Sequence, residues 1–482
     1  MDTVKAYHTH YVIPNYTLGD NHFVENQLSL WDDVYFKSIP VGYYYKEETH
    51  ELLLPRGIDI NFIEKQFKRP IDVLYGADPY EVASFRLLCE PRSNIQRKAI
   101  AYLLGEDDFK YAKSYSQQAL TLDTGDGKTY SVIAAISFLK MRSMIILPSQ
   151  LTTKLKEQWT NSILQFTDMP KEFICDISGS SQIDKLMTAK NIKYKIFIVG
   201  HSTLHSYASK HGWESIRELF QKLKIGIKVY DEAHMNFNNL IMVDLFTNTK
   251  KTFYLTANFE RSERNENKMF DFVFQCIPKF GRSTRNEKRK HIVYIPILLD
   301  SNPSLDDEIR IKGVKGFDKN KYSDYFLSKD ISFDVILYTM NFLRNEDGKV
   351  LILSSKIDSV EEIYRFFKDN FPDKKVGMYH SKLSDEDKIN INDCDIISAT
   401  PKSSGTGFDL PKLRIVIMLE PYSSLITANQ TSGRLREYAP DKYTFYIELV
   451  DKGFKKIYSM YKKRKKVFKE KCAKIIELEY KK

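Results

Sequence analysis

The chain has 482 residues, 42% of them hydrophobic, enough to bury two or three separate cores. Its 73 Lys and Arg against 63 Asp and Glu leave a formal charge of +10, which points only weakly to a polyanionic partner because a solvated lysine-rich surface gives the same balance. Cys89, Cys175, Cys276, Cys394 and Cys472 are scattered, with no Cys-x-x-Cys pair and no secretory leader, so the expectation is a reduced, cytoplasmic setting without disulfides or zinc. The most apolar stretch, Val132 to Leu147, is broken by Lys140 and Arg142, and a soluble chain with no membrane span is expected.

In chain order, residues 1–88 come first. Gly42 to Gly57, GYYYKEETHELLLPRG, reads as a hairpin around a polar turn, and a small α+β accessory domain, a candidate for DNA binding, is expected there. Over residues 89–300, short β-rich runs alternate with helical patterns: MIILPS from Met144, KIFIVG from Lys195 and GIKVYDEAH from Gly226. A boundary is placed near residue 300, where GRSTRNEKRK and a long polar stretch flank the strand-like His291 to Leu299. The second set, over residues 301–450, contains KVLILSS from Lys349, DIISAT from Asp395 and IVIMLE from Ile415. Near-continuous Val/Ile/Leu strands imply helices on both sheet faces, so the fold class is α/β with two tandem parallel-sheet domains. In residues 451–482, Phe454, Ile457, Tyr461, Phe468, Cys472 and Ile476 recur at helical spacing beside a dense Lys/Arg face. A basic amphipathic C-terminal helix is expected, the plainer alternative being a solvated face that simply docks on the second block.

Three segments carry chemistry. LTLDTGDGKTYSV, Leu120 to Val132, has Thr124, Gly125, Gly127, Lys128 and Thr129 where a phosphate-binding loop would need them, although Leu122 replaces the glycine that opens the full pattern. Backbone N–H groups at a helix N-terminus bind phosphate oxygens, Lys128 would neutralise the β/γ charge of ATP, and Thr129 would help hold Mg²⁺. Asp231 and Glu232 close an apolar strand, which puts two carboxylates at the carboxyl edge of a parallel sheet. There Asp231 can hold Mg²⁺ and Glu232 can polarise water. QTSGRLRE, Gln430 to Glu437, follows the last strand of the second block and offers Arg434 to the charge on a transferring phosphoryl group.

In this order the three segments resemble the motifs of superfamily 2 helicases, with Asp-Glu-Ala-His as the second motif. Gln96 in PRSNIQRKAI is similar to the adenine-reading glutamine of that family. Ile146 to Trp159 and IFIVGHSTL resemble segments that touch the nucleic-acid backbone. Leu255 to Arg261 is similar to the third motif and Ser403 to Leu410 to the fifth, which adds Gly407 and Asp409 to the nucleotide contacts, and the segment Gln430 to Glu437 adds Gln430. The resemblance covers roughly residues 90 to 450 and lies nearest the RecG, UvsW and XPB-like DNA translocases, compact phage and viral members above all.

It implies two RecA-like domains that bind ATP and Mg²⁺, with Arg434 and Arg436 as the arginines of the sixth motif. The activity it implies is that of a monomeric DNA helicase or branch-migration translocase, 3′ to 5′, acting on single-stranded, forked or branched DNA in recombination, replication or repair. An RNA-directed or transcript-release helicase is the alternative within the class, and a non-hydrolysing nucleic-acid-binding scaffold the alternative outside it. The sequence departs from the family at Leu122, which the common x-T-G-x-G-K-T spelling tolerates. It departs again at Thr256-Ala257-Asn258-Phe259, where Pro usually follows Thr or Ser, and at the two arginines, which stand two apart rather than three. His201 and His380 read as structural histidines, and Trp159 as core or a stacking platform.

Overall fold

A computed structural model describes residues 2–32, 37–122, 125–149, 152–256, 264–281, 290–313, 316–342, 347–380, 382–383, 390–401, 410–422, 428, 431–436, 438–439 and 441–481. The chain divides into two compact units, Met1–Asn286 and Glu287–Lys482.

The first unit opens with a five-stranded sheet in the order Tyr44–Lys46, Glu51–Pro55, His10–Ile13, Val4–Ala6, Ile71–Val73. The expected hairpin is there, with Tyr44 opposite Leu53. The helix Ile60–Phe67 starts where the Asp59 carboxylate accepts the amides of Asn61 and Phe62. This small sheet does not stand alone. Tyr11, Ile13 and Leu53 share one core with Leu240, Val273 and Phe274 of the α/β layer.

That layer is a seven-stranded, wholly parallel sheet in the order Ile174–Ile177, Ile196–Gly200, Ser143–Leu147, Ile227–Tyr230, Lys251–Leu255, Gln117–Leu120, Lys279–Phe280. Successive residues feed opposite cores. Met144, Ile146, Phe197 and Val199 join the core shared with the N-terminal sheet, while Ile145, Leu147, Ile196 and Ile198 join the other. A side-chain period of two with both faces covered is what turns an alternating surface into an unbroken apolar run.

The second unit is an eight-stranded parallel sheet in the order Val376–Tyr379, Ile396–Ala399, Lys349–Leu353, Leu413–Met418, Thr444–Asp451, Ile292–Leu299, Lys474–Ile475, with Leu478–Glu479 also paired to Ile292–Leu299. The strand Ile292–Leu299 therefore belongs to the second unit, and the division falls after Asn286 rather than near residue 300. Its eight buried residues pair along their whole length with Thr444–Asp451, a partner far away in sequence. The polar stretch after it is not a bare linker either: Ser304 and Asp307 form a capping box for the helix Leu305–Ile311, and the helix Lys319–Leu327 follows. At the C-terminus the basic helix is Lys455–Lys471, and the chain then turns into the two short edge strands.

Among the described residues no helix is long and apolar enough to cross a membrane, no cluster of three or more His, Cys, Asp or Glu could hold a metal, and no disulfide joins the five cysteines.

Candidate nucleotide site

The phosphate loop runs from the strand Gln117–Leu120 into the helix Lys128–Leu139. Gly125 and Gly127 have φ of +92° and +86°, a backbone that side chains strain against, and Gly127 is the N-cap of the helix. A Cβ on Gly127 would meet the side-chain amide of Gln96, which would have to shift, so it is the backbone conformation that calls for glycine there. Gln96 is buried, and its Oε1 accepts the Arg92 amide at 2.9 Å while the Arg92 guanidinium donates to the carbonyl of Gly125. The helix Asn94–Leu104 thus grips the loop from one side. Lys128 Nζ donates to the Leu122 carbonyl at 2.7 Å, so the ammonium is held over the loop's own backbone. Leu122 is buried in the core beneath, a use for a side chain where the full pattern has glycine.

Asp231 and Glu232 follow the strand Ile227–Tyr230, two strands away in the same sheet. Glu232 has φ of +48°, a left-handed backbone costing about 1–3 kcal/mol. Neighbouring bonds hold it: the Asp231 carboxylate accepts the Glu232 amide at 3.0 Å, Ala233 N donates to Leu255 O at 2.8 Å, and Met235 N donates to Glu232 O at 2.7 Å. Trp159 Nε1 donates to Asp231 Oδ2 at 2.9 Å. Burial, and then the Glu232 carboxylate, push the Asp231 carboxyl above its ordinary value, while the Trp159 indole and the Lys128 ammonium act in the opposite sense. His234 Nδ1 lies 3.3 Å from Glu232 Oε2 and 2.8 Å from the Thr256 hydroxyl, so one buried imidazole touches both the second motif and the start of the third. The donor set fits Mg²⁺: a half-buried Thr129 hydroxyl and one carboxylate are hard oxygen ligands, too few for a closed cage, and Mg²⁺ keeps waters and takes phosphate oxygens for the rest.

In the second unit Arg434 is half-buried and Arg436 exposed. The turn that carries them is tied down on both sides. Thr431 Oγ1 bonds Tyr446 Oη at 2.9 Å, Lys471 Nζ donates to Ser432 Oγ at 2.8 Å, and His291 Nε2 donates to Leu435 O at 2.9 Å. Tyr446 Oη reaches Tyr422 Oη at 2.7 Å, and the Tyr422 carbonyl accepts from Arg464.

Thr124, Gly407, Asp409 and Gln430 lie outside the described residues, as do Ala257 to Arg261 of the third motif. His201 is buried and stacked on Tyr230 at 5.6 Å, and His380 is buried with its Nε2 3.8 Å from Glu361 Oε1. Trp159 is core, buried beside Leu155 and Ile163, and its indole N–H is given to Asp231. That partnership and the Arg92 grip on the loop are invisible to motif reading. The only hint of the second was a cation four residues before Gln96, within one helical cap.

The family model "Type III restriction enzyme, res subunit" matches residues 90–261, and "Helicase conserved C-terminal domain" matches residues 332–437, together more than half of the chain. The chain belongs to the superfamily 2 helicases. This helicase is 24% identical over 362 residues to "Transcript termination protein A18" of Yaba-like disease virus, covering 71% of its own length and 69% of the relative's. In fold it is similar to S. cerevisiae Dbp5 bound to RNA and ADP BeF3, with a TM-score of 0.54 at 15% identity over 80% of this chain and 90% of that one. It is also similar to Mss116p bound to ssRNA and AMP-PNP, with a TM-score of 0.53 at 15% identity over 81% and 74%. The two parallel sheets of the helicase are its tandem RecA-like domains.

Proposed function

We propose that this helicase is an ATP-driven translocase that tracks 3′ to 5′ along DNA and strips a transcript from it. The observation that carries the ATPase part is the convergence of Lys128, Asp231, Glu232 and His234 at the carboxyl edge of one parallel sheet, where ligands of such sheets bind. Mg²⁺ would supply charge neutralisation at the β- and γ-phosphate oxygens. Thr129 and Asp231 would hold that ion, and Lys128 and the Gly125 to Lys128 backbone would hold the phosphates. Gln96 reads the base, with Thr124, Gly407, Asp409 and Gln430 as further nucleotide contacts. Glu232 orients the attacking water and accepts its proton as the bond to the β-phosphate oxygen breaks, and His234 keeps that carboxylate in place. Arg434 stabilises charge on the transferring phosphoryl group, and Arg436 takes the role of the second arginine.

Transcript release is favoured as the task by the viral relative's name, over a length that covers two thirds of both chains. The second reading is unwinding or branch migration of DNA in recombination, replication or repair. It is favoured by the match of residues 90–261 to a restriction-enzyme subunit.

The test is steady-state ATPase of the wild type and Lys128→Ala with no nucleic acid, single-stranded DNA, duplex DNA, a four-way junction, RNA, and an RNA–DNA hybrid with a 3′ DNA overhang. Stimulation by DNA with RNA displaced from the hybrid, all lost in the variant, is the expected result. Stimulation confined to the junction selects the second reading, and no hydrolysis under any condition removes both in favour of a binding scaffold.

A further inference from the structure

The basicity of this chain is concentrated in one helix. Lys455–Lys471 contains nine Lys or Arg and one Glu, a net of +8 against +10 for all 482 residues. At about 100° per residue, Ile457, Tyr461, Arg464 and Phe468 fall within one arc of about 60° and are buried. Lys455, Lys456, Lys462, Lys463, Lys466 and Lys469 fall on the opposite side, within about 140°, and all six are exposed.

Arg464 fixes this rotation. It is the helix's fully buried cation, paired with the equally buried Glu448. Lys465 is paired with Glu477 and Lys471 with Ser432. None of the six outward lysines pairs with a carboxylate among the described residues, and Lys462 merely lies over the Tyr458 ring at 4.5 Å. The stripe's single acidic residue, Glu470, sits in its last turn.

We propose that this lysine stripe is a second nucleic-acid contact, outside the helicase motifs, that takes the phosphodiester backbone without reading sequence. The proposal rests on the nucleic-acid-dependent reading above. From Lys455 to Lys469 the stripe runs about 21 Å at 1.5 Å per residue, the length of about six base-pair steps of 3.4 Å. Lysine ammoniums on flexible stems suit diffuse phosphate contacts better than the fixed bidentate geometry of arginine. A membrane surface fits poorly, because the apolar face that would enter the lipid is already buried in the unit's own core.

The test replaces Lys455, Lys456, Lys462 and Lys463 together with Gln in the full chain and, as a charge-retaining control, with Arg. Binding of a fluorescent single-stranded DNA and a duplex is read by anisotropy from 50 to 300 mM salt, about the range over which phosphate contacts dominate the salt dependence. Four lost single-strand contacts at about 0.7 each lower the slope of log K against log salt by about 3. The Gln variant is expected to show that drop and at least about tenfold weaker binding near 0.1 M salt. The Arg variant should match the wild type, and hydrolysis without nucleic acid should be unchanged in both. A slope change below about 1 in the Gln variant overturns the proposal. So does a wild type that uses these lysines for polyglutamate or phosphatidylserine vesicles in preference to oligonucleotide. A wild type that binds no oligonucleotide defeats the functional reading itself, an outcome distinct from one in which binding persists and only the stripe proves silent.

Discussion

Replacing Arg464 with Met isolates the buried ion pair on which the C-terminal helix turns. Arg464 and Glu448 both have fully buried side chains, and Arg464 also gives a hydrogen bond to the Tyr422 carbonyl and lies over the Tyr422 ring at 4.4 Å. Removing one partner strands Glu448 as a buried carboxylate whose remaining donor is Tyr294, at 2.5 Å, and breaking such a pair costs about 3–5 kcal/mol. In a unit of this size, at about 2–4 °C per kcal/mol, its unfolding transition should fall by roughly 10 °C.

The cost is that of an uncompensated charge rather than of lost attraction, so it should be reversible by removing the charge. Arg464→Met with Glu448→Leu leaves the Tyr294 hydroxyl buried without its acceptor, a penalty of about 1–3 kcal/mol. Adding Tyr294→Phe removes that too while keeping the ring stacked on Phe468 at 4.2 Å. The triple variant is expected to recover to within about 2 kcal/mol of the wild type. Calorimetry of the full chain is the assay, with the unperturbed transition of the first unit as internal reference, since one two-state fit does not apply to two units. A single variant that loses less than about 1 kcal/mol, or a triple variant no better than the single, refutes the reasoning.

Glu232→Gln should lower ATP turnover at least about 100-fold while leaving ATP affinity nearly unchanged, measured as kcat against nucleotide binding, because general-base catalysis contributes about 10²–10⁴. Equal loss of both would place Glu232 in binding instead. Trp159→Phe removes a donor from the Asp231 carboxylate and so raises its pKa further. The acid limb of the ATPase pH profile should move to higher pH, with most activity regained at pH near 8, and an unmoved limb would show that the indole does not govern this carboxylate. Burial lowers both His10 and His201 to about 3 from an ordinary 6.5. The unfolded chain then binds more protons between pH 6.5 and 3, so stability is full above 6.5 and falls as pH drops through that window. Each histidine costs about 2 kcal/mol at pH 5, and His201→Phe, which keeps a ring against Tyr230, should remove one share of that slope in urea titrations of the first unit. A slope as steep as the wild type's would count against the assignment.

Much of the fold was legible because parallel strands covered on both faces write themselves as unbroken apolar runs, as at Ser143–Leu147 and Ile415 to Met418. The strand Ile292–Leu299 was equally legible as a strand, but not as a member of the second sheet. Its membership is set by pairing with Thr444–Asp451, some 150 residues on, and nothing local to either segment records it. For the candidate site, spacing that carries chemistry marks Gly127, Lys128, Asp231 and Glu232 in the sequence. No such spacing marks Trp159 or Arg92, whose partners are brought to them only by the sheet and the loop.

Arg464 shows where the signal was present and composition hid it. Within KKRKK every cation reads as solvated, yet Arg464 continues the spacing of Ile457 and Tyr461 toward Phe468, which is the buried phase of the helix. Its counterpart was marked as well: Glu448 interrupts the apolar strand Thr444–Asp451, and a carboxylate in such a run needs a cation or a donor of its own. Helical phase thus separates one structural cation from six exposed ones that carry no carboxylate partner among the described residues. The charge of +10 is weak as a property of the chain but becomes a specific claim about one face of one helix, because +8 of it lies there.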